Sequence, residues 1–165
     1  IPMGKSGQWD STQIMVSKTP PITMGDELWI YYTGTHIQHS KKLLRDVKTK
    51  RAVQIGLAKF KKDRFIGMEA DADGVLVTGA MRVAGSELQV NCDVRGRLLV
   101  EVLDEQGGPI EGLAARDCRP ITGDHLAAKV RWTSGMSIGD HEDRPLKLRF
   151  TFTRGKLYSF RVCEE

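Results

Sequence analysis

The sequence predicts an all-β chain, an antiparallel β-sandwich preceded by a four-stranded β-meander. Three observations carry this. The run Leu146-Lys147-Leu148-Arg149-Phe150-Thr151-Phe152 alternates apolar and polar residues without a break, the period of a strand with one face in a core. Short stretches of the same kind recur from 75 to 162 between turns containing Gly and Asp, the spacing of an all-β domain. Nearer the start, Leu28-Trp29-Ile30-Tyr31-Tyr32-Thr33 concentrates the aromatic and β-branched residues that suit a pleated surface.

The elements follow in order. Ile14-Met15-Val16 is read as the first strand, and Pro20-Pro21 ends it, because proline cannot donate to a ladder. Gly25-Asp26 opens the second, residues 28–33, and Gly34 closes it; its dense apolar content predicts burial on both faces. Residues 36–51 are polar and basic, with only Leu43-Leu44 and Val47 to bury, and form a long connection. A third strand is expected from Ala52 to Phe60, and Lys61-Lys62-Asp63 turns the chain into a fourth, Arg64-Phe65-Ile66-Gly67-Met68.

Asp71-Ala72-Asp73-Gly74 reads as a turn and as the boundary between a meander over 1–70 and a sandwich over 71–165. Within the sandwich, strands are expected at 75–78, 81–83, 87–94, 97–103, 110–113, 128–132, 146–152 and 156–162. Arg95-Gly96 and residues 104–109 stand at hairpin spacing. Leu148, Phe150 and Phe152, with Tyr158, Phe160 and Val162, are the expected core, enough for the second part to fold by itself. The first part needs cover for its apolar aromatic face.

Composition narrows the function classes. No apolar stretch approaches the roughly 20 residues of a membrane-spanning helix, and no signal-peptide pattern opens the chain, so a soluble protein with no membrane partner is expected. The opening Ile1 suggests a processed or excised piece. Residues 1–64 carry 12 Lys and Arg against 5 Asp and Glu, and the remainder 13 against 16. The excess gathers at Lys41, Lys42, Arg45, Lys48, Lys50, Arg51, Lys59, Lys61 and Lys62; without a nucleic-acid motif it reads as a solvated surface, so nucleic acid is not an expected partner. Cys92, Cys118 and Cys163 are too few and too irregular for a disulfide framework or a zinc site, and they leave the compartment open. Cys92 falls in register with Leu88, Val90 and Val94 and is expected in the core.

The order of motifs Gly7-Gln8-Trp9-Asp10-Ser11, then residues 25–34, then Ile55-Gly56-Leu57-Ala58 and Asp63-Arg64-Phe65 resembles the last blade of the five-bladed β-propeller glycoside hydrolases, the group of invertase-like, levanase-like and arabinanase-like enzymes. The remainder is similar to the jelly-roll or concanavalin-like sandwich that follows the propeller. Residues 74–78, Leu88-Gln89-Val90-Asn91, 96–104, Asp117-Cys118, Val130-Arg131-Trp132 and 145–152 carry that likeness. The resemblance implies a parent protein, secreted or otherwise, whose catalytic carboxylates lie in earlier blades, opposed across the bond to be cleaved. It implies that this chain catalyses nothing alone, supports a propeller domain acting on carbohydrate, and needs no cofactor or metal. The alternative is an autonomous carbohydrate-binding module. A second copy pairing at an exposed sheet edge is a further expected partner.

Trp9 and Asp10 are the candidate carbohydrate-binding residues. They stand at the mouth of the first strand, where an aromatic platform beside a carboxylate suits a sugar; the plainer reading is an Asp closing a turn over a packed Trp. Asp71-Ala72-Asp73-Gly74 begins like a calcium loop but lacks its remaining ligands. His36 and His39 lack a third ligand. Asp124-His125 and Asp140-His141-Glu142-Asp143 concentrate titratable groups in expected turns, and Ser134 and Ser137 have no activating neighbour in sequence. Trp29, Tyr31 and Tyr32 are expected mostly to pack, and Trp132 to lie in the core.

Overall fold

The computed structural model describes residues 1–37 and 53–164. The chain divides into two compact units, Ile1–Lys62 and Asp63–Glu165, and each is built on an antiparallel sheet, as the alternation predicts. The basic stretch 41–51 and His39 lie outside the described residues.

The first unit contains β1 (Gln13–Val16), β2 (Ile22–Met24), β3 (Glu27–Thr35) and β4 (Val53–Lys61). β4 pairs with β3 over its full length, from Lys61 opposite Glu27 to Val53 opposite Thr35. β1 and β2 therefore share the other side of β3, with Val16 opposite Tyr32 and Ile22 opposite Trp29. They are one broken row: Pro20 and Pro21 stand in the gap, and neither can donate a backbone hydrogen bond to β3. The expected fourth strand, 64–68, does not join this sheet, which has three rows. Residues 62–67 form a connection, and the next strand begins at Met68 in the other unit.

The second unit contains β5 (Met68–Val77), β6 (Glu87–Leu103), β7 (Ile121–Lys129) and β8 (Lys147–Cys163), in the order β5-β8-β6-β7. The expected boundary at 70/71 therefore falls inside β5, where Asp71 and Ala72 form a bulge against β8. Two more expected breaks lie inside continuous strands, where β6 carries an extra residue over 95–97 opposite 153–154 of β8. Arg95-Gly96 does not reverse the chain, and the stretches either side of it belong to one 17-residue strand; the same holds for the stretches either side of Arg154-Gly155. The glycines serve close cross-strand approach: a Cβ on Gly96 would stand 2.9 Å from the Cβ of Thr153, and one on Gly155 would stand 2.6 Å from Asp93 O. An extra residue bends and twists its strand, so the sheet curls over its own core instead of folding into hairpins.

The concave face carries Leu88, Val90, Cys92, Val94, Leu98, Val100 and Val102 from β6 with Leu148, Phe150, Phe152 and Leu157 from β8, all buried. Tyr158, Phe160 and Val162, expected in the core, are half-buried. The other wall is made by connections, through Val83, Ile110, Leu113, Trp132 and Ile138. The expected strands at 81–83 and 110–113 are such connections, held by isolated bridges of Met81 to Leu146 and Pro109 to Leu103. Trp132 Nε1 donates to Val100 O at 3.1 Å, which satisfies the one polar atom this ring brings inside.

On the convex face, Glu87 is the most buried acid among the described residues, at 3% exposure. Its Oε2 lies 2.5 Å from Lys129 Nζ and 3.2 Å from Arg131 Nη2, and Gln89 Nε2 donates to Oε1. Lys129, then Gln89, hold the carboxyl below its ordinary 4.5; burial opposes them and Arg131 adds to the lowering. A carboxyl with a lowered folded pKa contributes stability that is complete above the unfolded pKa and is lost as pH falls through the folded one. The Tm of the wild type is therefore expected to exceed that of Glu87→Gln above the ordinary carboxyl range, with the gap closing as pH falls below it. A gap that stays constant over that titration contradicts the assignment.

Candidate functional site

The first sheet sorts its side chains by register into two faces. One carries Ile14, Val16, Ile30, Tyr32, Gly34, Gly56 and Ala58, and Trp9 and Asp10 lie against it. A tight turn brings them there: Gln8 N donates to Lys5 O at 2.9 Å, and Gly7 takes φ +89°, a conformation that favours glycine. The Trp9 ring stacks on Tyr32 with centroids 5.6 Å apart and 19° between planes. Both rings occupy space that glycines leave open. A Cβ on Gly34 would stand 2.6 Å from the Trp9 ring and 2.5 Å from Asp10 Cβ, and a Cβ on Gly56, opposite Tyr32, would run into the Tyr32 ring.

Asp10 is 9% exposed and accepts a hydrogen bond from Tyr32 Oη at 3.1 Å. Burial, and then this carboxylate, push the Tyr32 phenol above its ordinary 10.0, so the phenol stays a donor at neutral pH. The structure thus brings the two candidate residues together and adds Tyr32 to them. One face of Trp9 and one oxygen of Asp10 are engaged within the sheet, and Trp9 remains partly exposed. Tyr32 is 22 residues from Asp10 and could be found only through the strand register, where an aromatic stands opposite a glycine.

The other face of this sheet carries Met15, Ile22, Trp29, Tyr31, Ile55 and Leu57, with Glu27 and Lys59 toward one end. Tyr31 is 43% exposed and Ile55 76%. Lys59 Nζ lies 4.2 Å from the centre of the Trp29 ring, and Trp29 Nε1 donates to Glu27 Oε2 at 2.8 Å. Among the described residues, every fully buried apolar side chain belongs to the second unit. Among the described residues, the first unit exposes an apolar layer and buries no apolar side chain to match it.

The remaining candidates are engaged locally. Asp124 pairs with Arg64 at 2.6 Å, and the His125 ring lies 2.7 Å from Thr122 O. Asp140 Oδ2 accepts from Ser137 N at 2.8 Å at the start of a short 3₁₀ turn, and His141 Nδ1 lies 2.8 Å from Arg144 Nη2. Ser134 Oγ donates to Gly112 O at 2.6 Å. Asp73 Oδ1 accepts from Thr153 Oγ1 at 2.8 Å, within β5. Burial pushes the Cys92 thiol up to about 11, which leaves it inert as a nucleophile. Among the described residues no three His, Cys, Asp or Glu side chains converge as metal ligands, and no helix is long and apolar enough to cross a membrane. No nucleophile, base and orienting group stand together in the described residues. Comparison with protein-family models, curated proteins and solved structures finds no match for the chain.

Proposed function

We propose that this chain is a non-catalytic part of a glycoside hydrolase-like protein, in which it structurally supports a propeller domain that acts on carbohydrate. The observation that carries the reading is the imbalance between the two units. The second buries a complete core, whereas the first turns Met15, Ile22, Tyr31, Ile55 and Leu57 outward on one sheet face. A contiguous apolar sheet face is a layer built to be covered, and another sheet stacked about 10 Å away is the usual cover. Blades of a propeller stack in that manner. Catalysis would then come from the partner.

The test has two arms. The chain alone, incubated with aryl glycosides of several sugars, is expected to release no product above buffer, and to bind a dye that fluoresces on apolar surface. Ile55→Lys with Leu57→Lys should remove most of that fluorescence while the far-UV spectrum stays unchanged. In a parent protein carrying a propeller, the same pair should lower both the melting temperature and the glycosidase rate. Turnover by the chain alone, or a parent indifferent to the double substitution, overturns the proposal. Tyr31 beside Trp29 on the exposed face gives the alternative, an autonomous carbohydrate-binding module, its one specific support. Pull-down on insoluble fructan, arabinan, xylan and mannan separates the two: retention that Tyr31→Ala abolishes favours the module.

A further inference from the structure

The bulges of β5 and β6 lie on either side of Arg154 in β8, beside a recess of about 290 Å³ within the second unit. It lies on the convex face, opposite the core, because Asp93 and Arg95 flank the buried Val94 and alternate with it. Two rows of charge cross the recess. In the first, Lys156 stands between Asp93 and Glu69 and pairs with Glu69 at 3.0 Å. The second consists of Arg95, Arg154 and Asp71, each two residues along its strand from the first row. Among the described residues, neither guanidinium nor the carboxylate of Asp71 has a hydrogen-bond or ion-pair partner, and Asp93 acts on Lys156 only through its charge.

Arg154 sits at φ +49°, a left-handed conformation unfavourable for a residue with a side chain and costing on the order of 1 kcal/mol or more. Glycine is the residue that would relieve it, and glycine follows at once in the chain. At Gly155 the backbone of β6 approaches so closely that a Cβ would stand 2.6 Å from Val94 Cα, which closes the floor of the recess. Between the two bulges a strained arginine thus stands over a floor, with a second arginine, Arg95, lining the same recess.

We propose that this recess binds a hydroxylated carboxylate, a sugar acid of the hexuronate type. Two guanidiniums offer paired N–H donors of the geometry a carboxylate accepts. Asp71 and Asp93 are acceptors only; they repel a simple anion and take hydrogen bonds from hydroxyls. An inorganic anion satisfies the arginines and is repelled by the aspartates, a neutral sugar satisfies the aspartates but brings no charge to the arginines, and a sugar acid meets both. The volume stands near the lower end of the roughly 300–1,000 Å³ typical of small-molecule sites, room for one ring. The inference does not rest on the propeller reading, since all its residues belong to the second unit.

The experiment is an amide NMR titration of the full chain with sodium D-glucuronate, D-glucose and sodium acetate at constant ionic strength. Glucuronate is expected to shift amides at 69–71, 93–95 and 154–156 and to saturate with a Kd on the order of 1 mM, with glucose and acetate at least roughly tenfold weaker. Arg95→Gln and Arg154→Gly should each weaken glucuronate at least roughly tenfold. Arg154→Gly also removes the left-handed strain, so it is expected to melt no lower than the wild type, and its loss of binding is then not unfolding. Acetate matching glucuronate would make this a plain anion site, and glucose matching it a neutral-sugar site. Either result overturns the proposal, as do unsaturable shifts or variants that bind like the wild type.

Discussion

Replacement of Phe150 by alanine is expected to cost about 3–5 kcal/mol, a large part of the roughly 5–15 kcal/mol that stabilises a whole domain. Phe150 is fully buried at the middle of β8, with Val100 opposite it on β6 and Leu76 opposite it on β5. Its ring also meets Phe160 at 5.2 Å between centroids. Every neighbour is fixed by a ladder on one side or a packed connection on the other, so the walls cannot collapse into the space the ring leaves. Phe150→Leu keeps most of the volume and should cost about half as much. Val75→Ala, on the edge strand and 65% exposed, should stay within about 0.5 kcal/mol. Urea unfolding followed at the buried Trp132 reads all three. A Phe150→Ala midpoint within error of that of Val75→Ala would show that this face is not the core.

That core was legible from alternation alone. Leu148, Phe150 and Phe152 are where the period of two places them, and so are Leu88, Val90, Cys92 and Val94. Chain direction was harder to read. Gly96 and Gly155 look like turn residues because a glycine permits either a reversal or a close approach, and the sequence around it does not distinguish them. Only the end of β7 overlaps the strand expected at 128–132, because Ile121-Thr122-Gly123-Asp124-His125 brings one apolar side chain to an exposed edge and carries no alternation. β2 is three residues held in place by β3, with little propensity of its own to read. The same limit applied to the sites. Trp9 and Asp10 are adjacent in sequence and could be singled out, but Tyr32 and the recess exist only through strand register, as Arg95, Arg154 and Asp71 come from three strands.

Arg64 is the clearest case of a group whose importance has no local signal, and its removal should be the most damaging change outside the core. The expected order of loss is Arg64→Ala at about 2–4 kcal/mol, Arg64→Lys at roughly 1–2, and Asp124→Asn below about 1. The side chain is only 7% exposed, and its partners are 27 to 61 residues away in sequence. Nε donates to Asn91 Oδ1 at 2.7 Å. Nη2 reaches Asp124 Oδ1 at 2.6 Å, His125 O at 3.0 Å and Cys92 O at 3.2 Å, while the guanidinium lies 4.5 Å over the Tyr158 ring. One planar group thus ties the segment before β5 to β6, β7 and β8 together.

Alanine takes the donor from two backbone carbonyls and from Asn91, and uncovers Tyr158. Lysine keeps the charge and cannot supply the fork. Asp124 is 43% exposed, so water replaces most of what its neutralisation removes. Thermal unfolding of the three variants at low and high salt tests the ordering. The Asp124→Asn loss should fade with salt and the Arg64→Ala loss should persist, because screening acts through solvent. If Asp124→Asn were as costly as Arg64→Ala, the ion pair and not the buried fork would be holding the sheet, and the assignment of roles within this network would be reversed.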